Sequence, residues 1–218
     1  MIDARLFTVG PLQENCWIVR APGADRAVIV DPGDEAERLL GALTALEIST
    51  VEAILLTHTH FDHVGAVAPV ARATGAPVYC PALETQVLAD INAYVRFEGF
   101  GPFESWEAEH TVAGGETLQL AGLALDVMLV PGHSPGHVSY HVRDGNDDSL
   151  FSGDVLFKGS VGRVDLPGGD WPTLLASIES LLDAYPASTV VHPGHGPITT
   201  LAAERATNPF LHELAQHA

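Results

Sequence analysis

The chain has 218 residues, of which 46% are hydrophobic, and its 28 acidic and 10 basic side chains give a formal charge of −18. A chain of this size and composition can bury a sizeable core without disulfides or structural metals. Its negative field would repel phosphate backbones and anionic lipid headgroups, which excludes nucleic acid and membranes as expected partners.

The sequence also predicts where the protein is located and the redox state of its two cysteines. No apolar run approaches the roughly 20 residues that a membrane-spanning helix requires, and the first residues show no charged-then-apolar signal pattern. We therefore expect a cytoplasmic protein. Cys16 and Cys80 both lie in apolar, strand-like runs, which predicts buried, reduced thiols rather than a disulfide or metal ligands.

The first half of the chain shows the periodicities of strands and helices in turn. Apolar and alternating runs predict strands at 2–9, 16–20, 27–30, 51–56 and 78–80. Helical spacing of apolar residues predicts helices at 35–46, 65–73 and 83–89. Residues 94–106 are rich in aromatic side chains without a clear period, and we interpret this stretch as a pocket wall or a lid.

The second half repeats the order of the first. The predicted strands lie at 117–120, 123–130, 138–142, 150–152 and 189–191, and the predicted helices at 174–184 and 201–206. In both halves the strands meander before each helix, which favours two mixed sheets packed face to face with helices outside. The predicted fold class is therefore α/β, a four-layer αββα sandwich. We expect one domain over residues 1–218, with similar halves at roughly 1–110 and 111–218.

Three histidines and an aspartate stand immediately after the predicted strand at 51–56. They are His58, His60, Asp62 and His63, in the segment THTHFDH at 57–63, which lacks the helical spacing of a metalloprotease motif. We therefore predict a site on a loop. Because an extended backbone sends alternate side chains the same way, His58 and His60 can bind one metal ion, while Asp62 and His63 suit a second.

Two ligands leave each ion under-coordinated, so further ligands have to come from other strand ends. His133, Asp154 and His195 each follow a predicted strand and stand directly after a glycine, where the backbone can bend tightly. Asp154 is predicted to bridge the two ions, because a carboxylate has two oxygens. The predicted allotment is one ion on His58, His60 and His133 and a second ion on Asp62, His63 and His195.

Asp31 and His137 are candidates for supporting roles. Asp31 ends the predicted strand at 27–30, where it is either a turn signal or a hydrogen-bond acceptor for a ligating imidazole. His137 is predicted to brace a loop or a ligand rather than to bind metal. The other histidines lack ligand partners at useful spacing and are predicted to be surface or strand-packing residues: His110, His141, His192, His212 and His217.

The seven predicted ligands, at these spacings, resemble those of the metallo-β-lactamase superfamily, and the resemblance covers essentially the whole chain. Segments GDVLF at 153–157, GSVGRVD at 159–165 and NPF at 208–210 are similar to the glyoxalase II-like branch, particularly its short bacterial type. The resemblance implies the metallo-β-lactamase fold. It also implies thioester hydrolysis, with S-lactoylglutathione as the family substrate.

The sequence departs from the larger glyoxalase II enzymes in the region that grips glutathione. Those enzymes have a Tyr shortly after the last ligand and a basic helical extension at the C-terminus. Here Gly196 and Pro197 follow His195, and Arg205 is the only cation of the tail. The sequence therefore leaves open which thiol carries the acyl group.

Two cations near Asp154 are candidates for substrate binding. Arg163 stands where the larger enzymes carry a Lys that reaches glutathione, and Lys158 is the only lysine of the chain. In so acidic a protein, Lys158 and Arg163 are predicted to bind an anionic, small-molecule thioester. Solvated loop charge is the alternative interpretation of both.

Two divalent metal ions are the predicted cofactor, with zinc expected and iron or manganese as alternatives. Such a pair lowers the pKa of a shared water to about 7, which predicts attack on the thioester by a metal-bound hydroxide without a Ser or Cys nucleophile. Asp62 is predicted to orient this hydroxide and Asp154 to set the spacing of the metals. Asp62 and Asp154 are therefore the predicted catalytic residues.

Three other functions stay open on the sequence. A persulfide dioxygenase resembles the same branch but uses one iron on two His and one Asp, whose counterparts here would be His58, His133 and Asp154. A β-lactamase or lactonase is the second alternative. A non-catalytic metal-binding or interaction domain is the third, although every ligand position is filled.

Overall fold

A computed structural model describes residues 2–95, 97–144 and 147–211, and most of its strands belong to two six-stranded sheets. β1 to β3 of the first sheet pair antiparallel, and β3 to β6 pair parallel. In pairing order, this sheet consists of β1 (Asp3–Val9), β2 (Glu14–Arg20), β3 (Arg26–Val30), β4 (Thr50–Leu55), β5 (Val78–Pro81) and β6 (His110–Val112).

The second sheet is built from later strands, and its pairing order does not follow the chain throughout. It runs β14 (Thr199–Thr200), β13 (Val190–Pro193), β10 (Asp147–Gly153), β9 (Val138–Asp144), β8 (Leu123–Leu129) and β7 (Thr117–Leu120). β10 and β13 are parallel, and the other neighbours are antiparallel. A small hairpin of β11 (Leu156–Phe157) and β12 (Ser160–Val161) follows β10.

Seven α-helices connect the described strands. They are α1 (Ala36–Ala45), α2 (Phe61–Val64), α3 (Val67–Thr74), α4 (Thr85–Ala89), α5 (Ile91–Tyr94), α6 (Trp171–Ala184) and α7 (Leu201–Thr207). α6 starts three residues before the predicted helix at 174–184, because Asp170 caps the Thr173 N–H and Pro172 fits the first turn. Within the described ranges, no helix is both long and apolar enough to cross a membrane.

The buried apolar side chains form three clusters that separate four layers. The middle cluster lies between the sheets and contains Trp17, Leu125, Tyr140 and Phe151. A second cluster packs α1 and α3 against the outer face of the first sheet. A third packs α6 and α7 against the outer face of the second sheet. Because each sheet buries both faces, the layers follow the predicted αββα order.

Several elements differ from their predicted form. The short strands β6, β11, β12 and β14 were not predicted, because two or three residues are too few to show a period. The predicted helix at 83–89 begins only at Thr85, and α5 follows it. Cys16 and Cys80 are free and buried, as predicted. The tail of the chain, including His212 and His217, lies outside the described residues.

Candidate metal centre

The seven predicted ligands meet at one edge of the sandwich. Each of them follows the end of β4, β8, β10 or β13. Backbone hydrogen bonds join these loops. Val138 N donates to Thr57 O at 2.8 Å between the two sheets, and Gly194 N donates to Gly153 O at 2.9 Å within the second sheet. The strand ends therefore bring together residues that are up to 137 positions apart, from His58 to His195.

The first group of ligands contains three histidines from both sheets. Nitrogen atoms of His58, His60 and His133 all lie within 4.8 Å of one another. His60 Nδ1 is 3.1 Å from His58 Nε2 and 2.8 Å from His133 Nε2. Converging imidazole nitrogens are typical of a zinc or iron site. The structure therefore brings these three side chains together, and their binding of one ion stays a prediction.

The second group contains Asp62, His63 and His195, whose donor atoms also lie within 4.8 Å of one another. His195 Nε2 is 3.3 Å from Asp62 Oδ2. The predicted loop is wrong for part of this group, because Phe61–Val64 forms the short helix α2. The helix begins directly after the extended residue His60, and its turn rather than an extended strand directs Asp62 and His63 to the second group.

Asp154 lies between the two groups. Its Oδ2 is 3.6 Å from His133 Nε2 of the first group and 3.6 Å from His195 Nε2 of the second. Its Oδ1 is 3.4 Å from His63 Nε2, and both of these buried atoms lack a hydrogen-bond partner among the described residues. Buried polar atoms left without partners fit a site for metal ions. The donors are imidazoles and carboxylates, which suit divalent zinc, iron or manganese.

Asp31 holds the second group and the loop after β4. Its carboxylate accepts hydrogen bonds from Thr57 N at 2.8 Å and Thr57 Oγ1 at 2.6 Å. It also accepts from His63 Nδ1 at 3.1 Å, which leaves His63 Nε2 for the metal centre. Asp31 therefore contacts the imidazole of His63, a predicted ligand, and its supporting role stays a prediction.

Two further contacts orient ligands. His137 is buried, its Nε2 accepts a hydrogen bond from Asp154 N at 3.0 Å, and its ring stacks on His58 with centroids 4.7 Å apart. His133 Nδ1 donates to the backbone oxygen of Arg163 at 2.7 Å. His137 therefore contacts both Asp154 and His58, and its role as a brace stays a prediction.

Two buried glutamates near the ligands were not predicted. Glu14 Oε1 is 3.7 Å from His63 Nδ1, and burial raises the pKa of Glu14 well above its usual value. Glu84 connects the two ligand loops, because it accepts from Thr59 N at 2.7 Å and from Gly136 N at 2.9 Å, and also from the Ser134 hydroxyl. Each glutamate is a single carboxylate without ligand spacing, so no sequence signal distinguished it.

Replacement of Glu84 by Ala is expected to lower the free energy of unfolding by about 3–5 kcal/mol, because several buried donors lose a charged acceptor. Chemical denaturation of the metal-loaded protein measures this change. Glu104→Ala is the matched control, since Glu104 forms an exposed ion pair with Arg72 and its loss should change the free energy of unfolding little. Equal losses in the two variants would show that Glu84 does not connect the loops.

Without metal, the histidines of the two ligand groups favour different protonation states. Burial lowers the pKa of His58 well below its usual value and that of His60 to about 4, so both imidazoles are neutral. Burial also opposes the charge on His63, but Asp154 and Asp62 raise its pKa well above the usual value. The pKa of His195 is raised against burial by its bond to Asp62 and by Asp154. The second group therefore favours protonated imidazoles more than the first does, and a metal would compete with these protons.

Loading of the apo-protein with Zn²⁺ at pH 7 is expected to release about one to two protons per chain, because coordination requires neutral imidazoles. Calorimetric titration in buffers of different ionisation enthalpy counts these protons. His195→Ala should lower the count, whereas His58→Ala should leave it unchanged. A wild-type protein that releases no protons would contradict the assigned charge of His63 and His195.

A cavity of about 660 Å³ opens above the centre. Its lining combines five predicted ligands with apolar side chains from residues 83–100, and it also includes Phe157, Val161 and Arg163. The aromatic stretch at 94–106 therefore contributes a wall, through Tyr94, Phe97 and Phe100.

The two predicted substrate-binding cations lie in different surroundings. Arg163 lines the cavity, and its Nε and Nη2 donate to Asp165 at 2.6 and 2.7 Å. Lys158 is exposed in the turn between β11 and β12 and is not among the described residues that line the cavity. Only Arg163 is therefore placed to contact a substrate above the centre.

An αββα sandwich with imidazoles and carboxylates gathered at its strand ends is the arrangement of a metal-dependent hydrolase. The metallo-β-lactamase superfamily domain matches residues 9–195, and the chain belongs to this superfamily. This confirms the predicted family and fold class. Proteins of this fold bind divalent metals.

Curated relatives fit the glyoxalase II-like branch. The chain is 40% identical over 212 residues to the probable metallo-hydrolase YqgX of Bacillus subtilis, a match that covers 95% of this chain and 96% of YqgX. It is 32% identical over 217 residues to hydroxyacylglutathione hydrolase GloC of Haemophilus influenzae, which covers 96% of this chain and 98% of GloC.

Two solved structures are similar over nearly the whole chain. The BLEG-1 B3 metallo-β-lactamase has a TM-score of 0.88 and 41% identity, with 97% of this chain and 99% of that chain covered. TTHA1623 in a di-iron-bound form has a TM-score of 0.83 and 45% identity, with 95% and 100% covered.

Proposed function

We propose that this protein is a metal-dependent thioester hydrolase that resembles glyoxalase II and acts on S-lactoylglutathione or a related anionic acyl-thiol. The observation that carries the proposal is the position of Asp154 between two convergent ligand groups below an open cavity. The 32% sequence identity to hydroxyacylglutathione hydrolase GloC supports a thioester as the class of substrate. We propose His58, His60 and His133 as one ligand set and Asp62, His63 and His195 as the other, with two zinc ions as the expected occupants.

The chain's own residues would hold and orient the reactants. Two bound ions would supply an activated water at neutral pH and polarise the substrate carbonyl. Asp154 would keep the two ligand groups at a fixed spacing, and Asp62 would accept a hydrogen bond from the attacking water. The leaving thiol has an ordinary pKa near 8.5, so it departs as a thiolate without an obligatory proton donor.

The proposal is tested with protein purified without added metal and assayed in parallel on S-lactoylglutathione and on glutathione persulfide. We expect thioester hydrolysis, measured as thiol release, that a chelator abolishes and Zn²⁺ restores. Oxygen uptake with glutathione persulfide, together with no thiol release from S-lactoylglutathione, would instead identify a persulfide dioxygenase. No reaction in either assay, with metal bound, would favour a non-catalytic domain.

A β-lactam is the second candidate substrate, because the chain is 41% identical to the BLEG-1 B3 metallo-β-lactamase. Hydrolysis of a β-lactam and of a thioester both begin with attack of water on an acyl carbon. Nitrocefin hydrolysis faster than thioester hydrolysis, by the same metal-loaded preparation, would replace the proposed function with this one.

Charge reversal separates the two candidate substrate-binding cations. Arg163→Glu is expected to raise KM for S-lactoylglutathione about tenfold or more, because a charge-assisted contact at the cavity is lost. Lys158→Glu should change KM less than about twofold, since an exposed charge away from the cavity is screened. Asp165→Asn should lower KM, because it frees Arg163 from its ion pair. Equal effects of the two reversals would contradict the placement of Arg163.

A further inference from the structure

Exposed apolar side chains are concentrated at the cavity above the metal centre. Among the described residues, eight large hydrophobic side chains are exposed, and half of them line this cavity: Leu12, Leu83, Tyr94 and Phe97. Large apolar side chains that are left in contact with water in one place mark a binding surface. We call the surface formed by Leu12, Phe61, Leu83, Val87, Tyr94 and Phe97 the apolar wall.

The apolar wall begins at the ligands themselves. Phe61 stands between His60 and Asp62 in the chain, and all three residues line the cavity. From there the aromatic surface continues outward, because the Phe61 ring centroid is 5.9 Å from that of Phe97 and 4.9 Å from that of Phe100. A group attached to the reacting carbon can therefore reach the wall directly.

The same cavity has a cation, Arg163, which lies near a different predicted metal ligand, His133. Arg163 lines the cavity, and its backbone oxygen accepts the hydrogen bond of His133 Nδ1. The cavity thus offers a cation beside the first ligand group and hydrocarbon beside the Phe61 turn. A substrate that fits both carries an anionic part and an apolar part on the two sides of the scissile bond.

A lactoyl group matches the apolar wall poorly. It has three carbons, one of which bears a hydroxyl, so it would leave most of the wall in contact with water and bury a polar group against it. A thiol carrier that bears carboxylates or phosphates suits Arg163. The apolar wall is then available to contact the acyl group of the thioester.

We propose that the apolar wall is an acyl-chain subsite, so that the preferred substrates are thioesters of medium-length hydrocarbon acyl groups on an anionic thiol. The inference rests on the proposed thioester hydrolysis and narrows its substrate class. Each methylene of the acyl group that is buried against the apolar wall raises kcat/KM about threefold to fourfold. The increase ends when the acyl chain covers the whole wall.

The test uses the metal-loaded protein and glutathione thioesters of acetic, butanoic, hexanoic and octanoic acid, with S-lactoylglutathione alongside. From acetyl to hexanoyl, which adds four methylenes, kcat/KM is expected to rise about eightyfold or more. Phe97→Ala should flatten this rise, because part of the apolar wall is removed. Phe210→Ala is the matched control, because Phe210 is 44% exposed against 43% for Phe97 but does not line the cavity.

The outcomes separate this inference from the proposed function. Hydrolysis that is independent of acyl length, or a length dependence that Phe97→Ala and Phe210→Ala change equally, would overturn the acyl-chain subsite and leave thioester hydrolysis standing. Where no thioester is hydrolysed, the proposed function fails, and calorimetry with S-alkylglutathiones still tests the subsite. Affinity that rises with alkyl length in the wild type and not in Phe97→Ala supports it, and affinity independent of length overturns it.

Discussion

Asp154→Ala is expected to lower kcat/KM for thioester hydrolysis about a thousandfold or more and to leave fewer than two metal ions per chain. The reason is geometric, since the two oxygens of Asp154 face both ligand groups, at 3.4 Å from His63 Nε2 and 3.6 Å from His133 Nε2. Loss of a shared ligand weakens both sites and their spacing together. Steady-state kinetics and elemental analysis of the same preparation measure the two effects.

His137→Ala is the comparison for this prediction. His137 accepts a hydrogen bond from the backbone of Asp154 and stacks on His58, so it acts on the ligands without being placed among them. A loss of about tenfold to a hundredfold is typical for such a supporting side chain. If both variants lose activity to the same extent, Asp154 does not have the bridging role.

Gly194→Ala is expected to lower activity at least about a hundredfold although it removes no ligand. A Cβ at this position would lie 2.3 Å from Asp154 Oδ1 and 2.7 Å from His63 Cε1, so the methyl group would displace the proposed bridging carboxylate and a proposed ligand of the second group. We expect about one metal ion per chain in this variant, by elemental analysis.

The control for this prediction is a glycine with free space around it. A methyl group on Gly41 of α1 would meet no atom within 4 Å outside its own helix turn, and alanine favours a helix. Gly41→Ala should therefore keep full activity and both ions. Full activity and two bound ions in Gly194→Ala would show that Asp154 and His63 do not meet beside Gly194.

Much of the fold was predictable because its central strands carry a strong signal. β3 and β4 are apolar almost throughout, as strands are when both faces of a sheet are covered, and their predicted bounds are within one residue of the observed ones. The short strands and the helical turn Phe61–Val64 could not be predicted, since they form through contacts with distant residues rather than through a local pattern.

The positions of the ligands were predictable for a different reason. His133, Asp154 and His195 each combine a strand end with a preceding glycine, and strand ends of two packed sheets meet at a common edge. The carboxylate of Glu84 has no such signal, because its partners Thr59 and Gly136 are brought to it only by the finished fold. The ion pair between Arg163 and Asp165 was likewise not anticipated.

Metal content of the wild-type protein and of one variant in each ligand group is the most direct test of a two-metal centre. Elemental analysis against protein concentration should give two divalent ions per wild-type chain, and about one ion per chain in His133→Ala and in His195→Ala. A single ion in the wild type after incubation with excess Zn²⁺, or two ions retained in either variant, would contradict the assignment of these side chains to two metal sites.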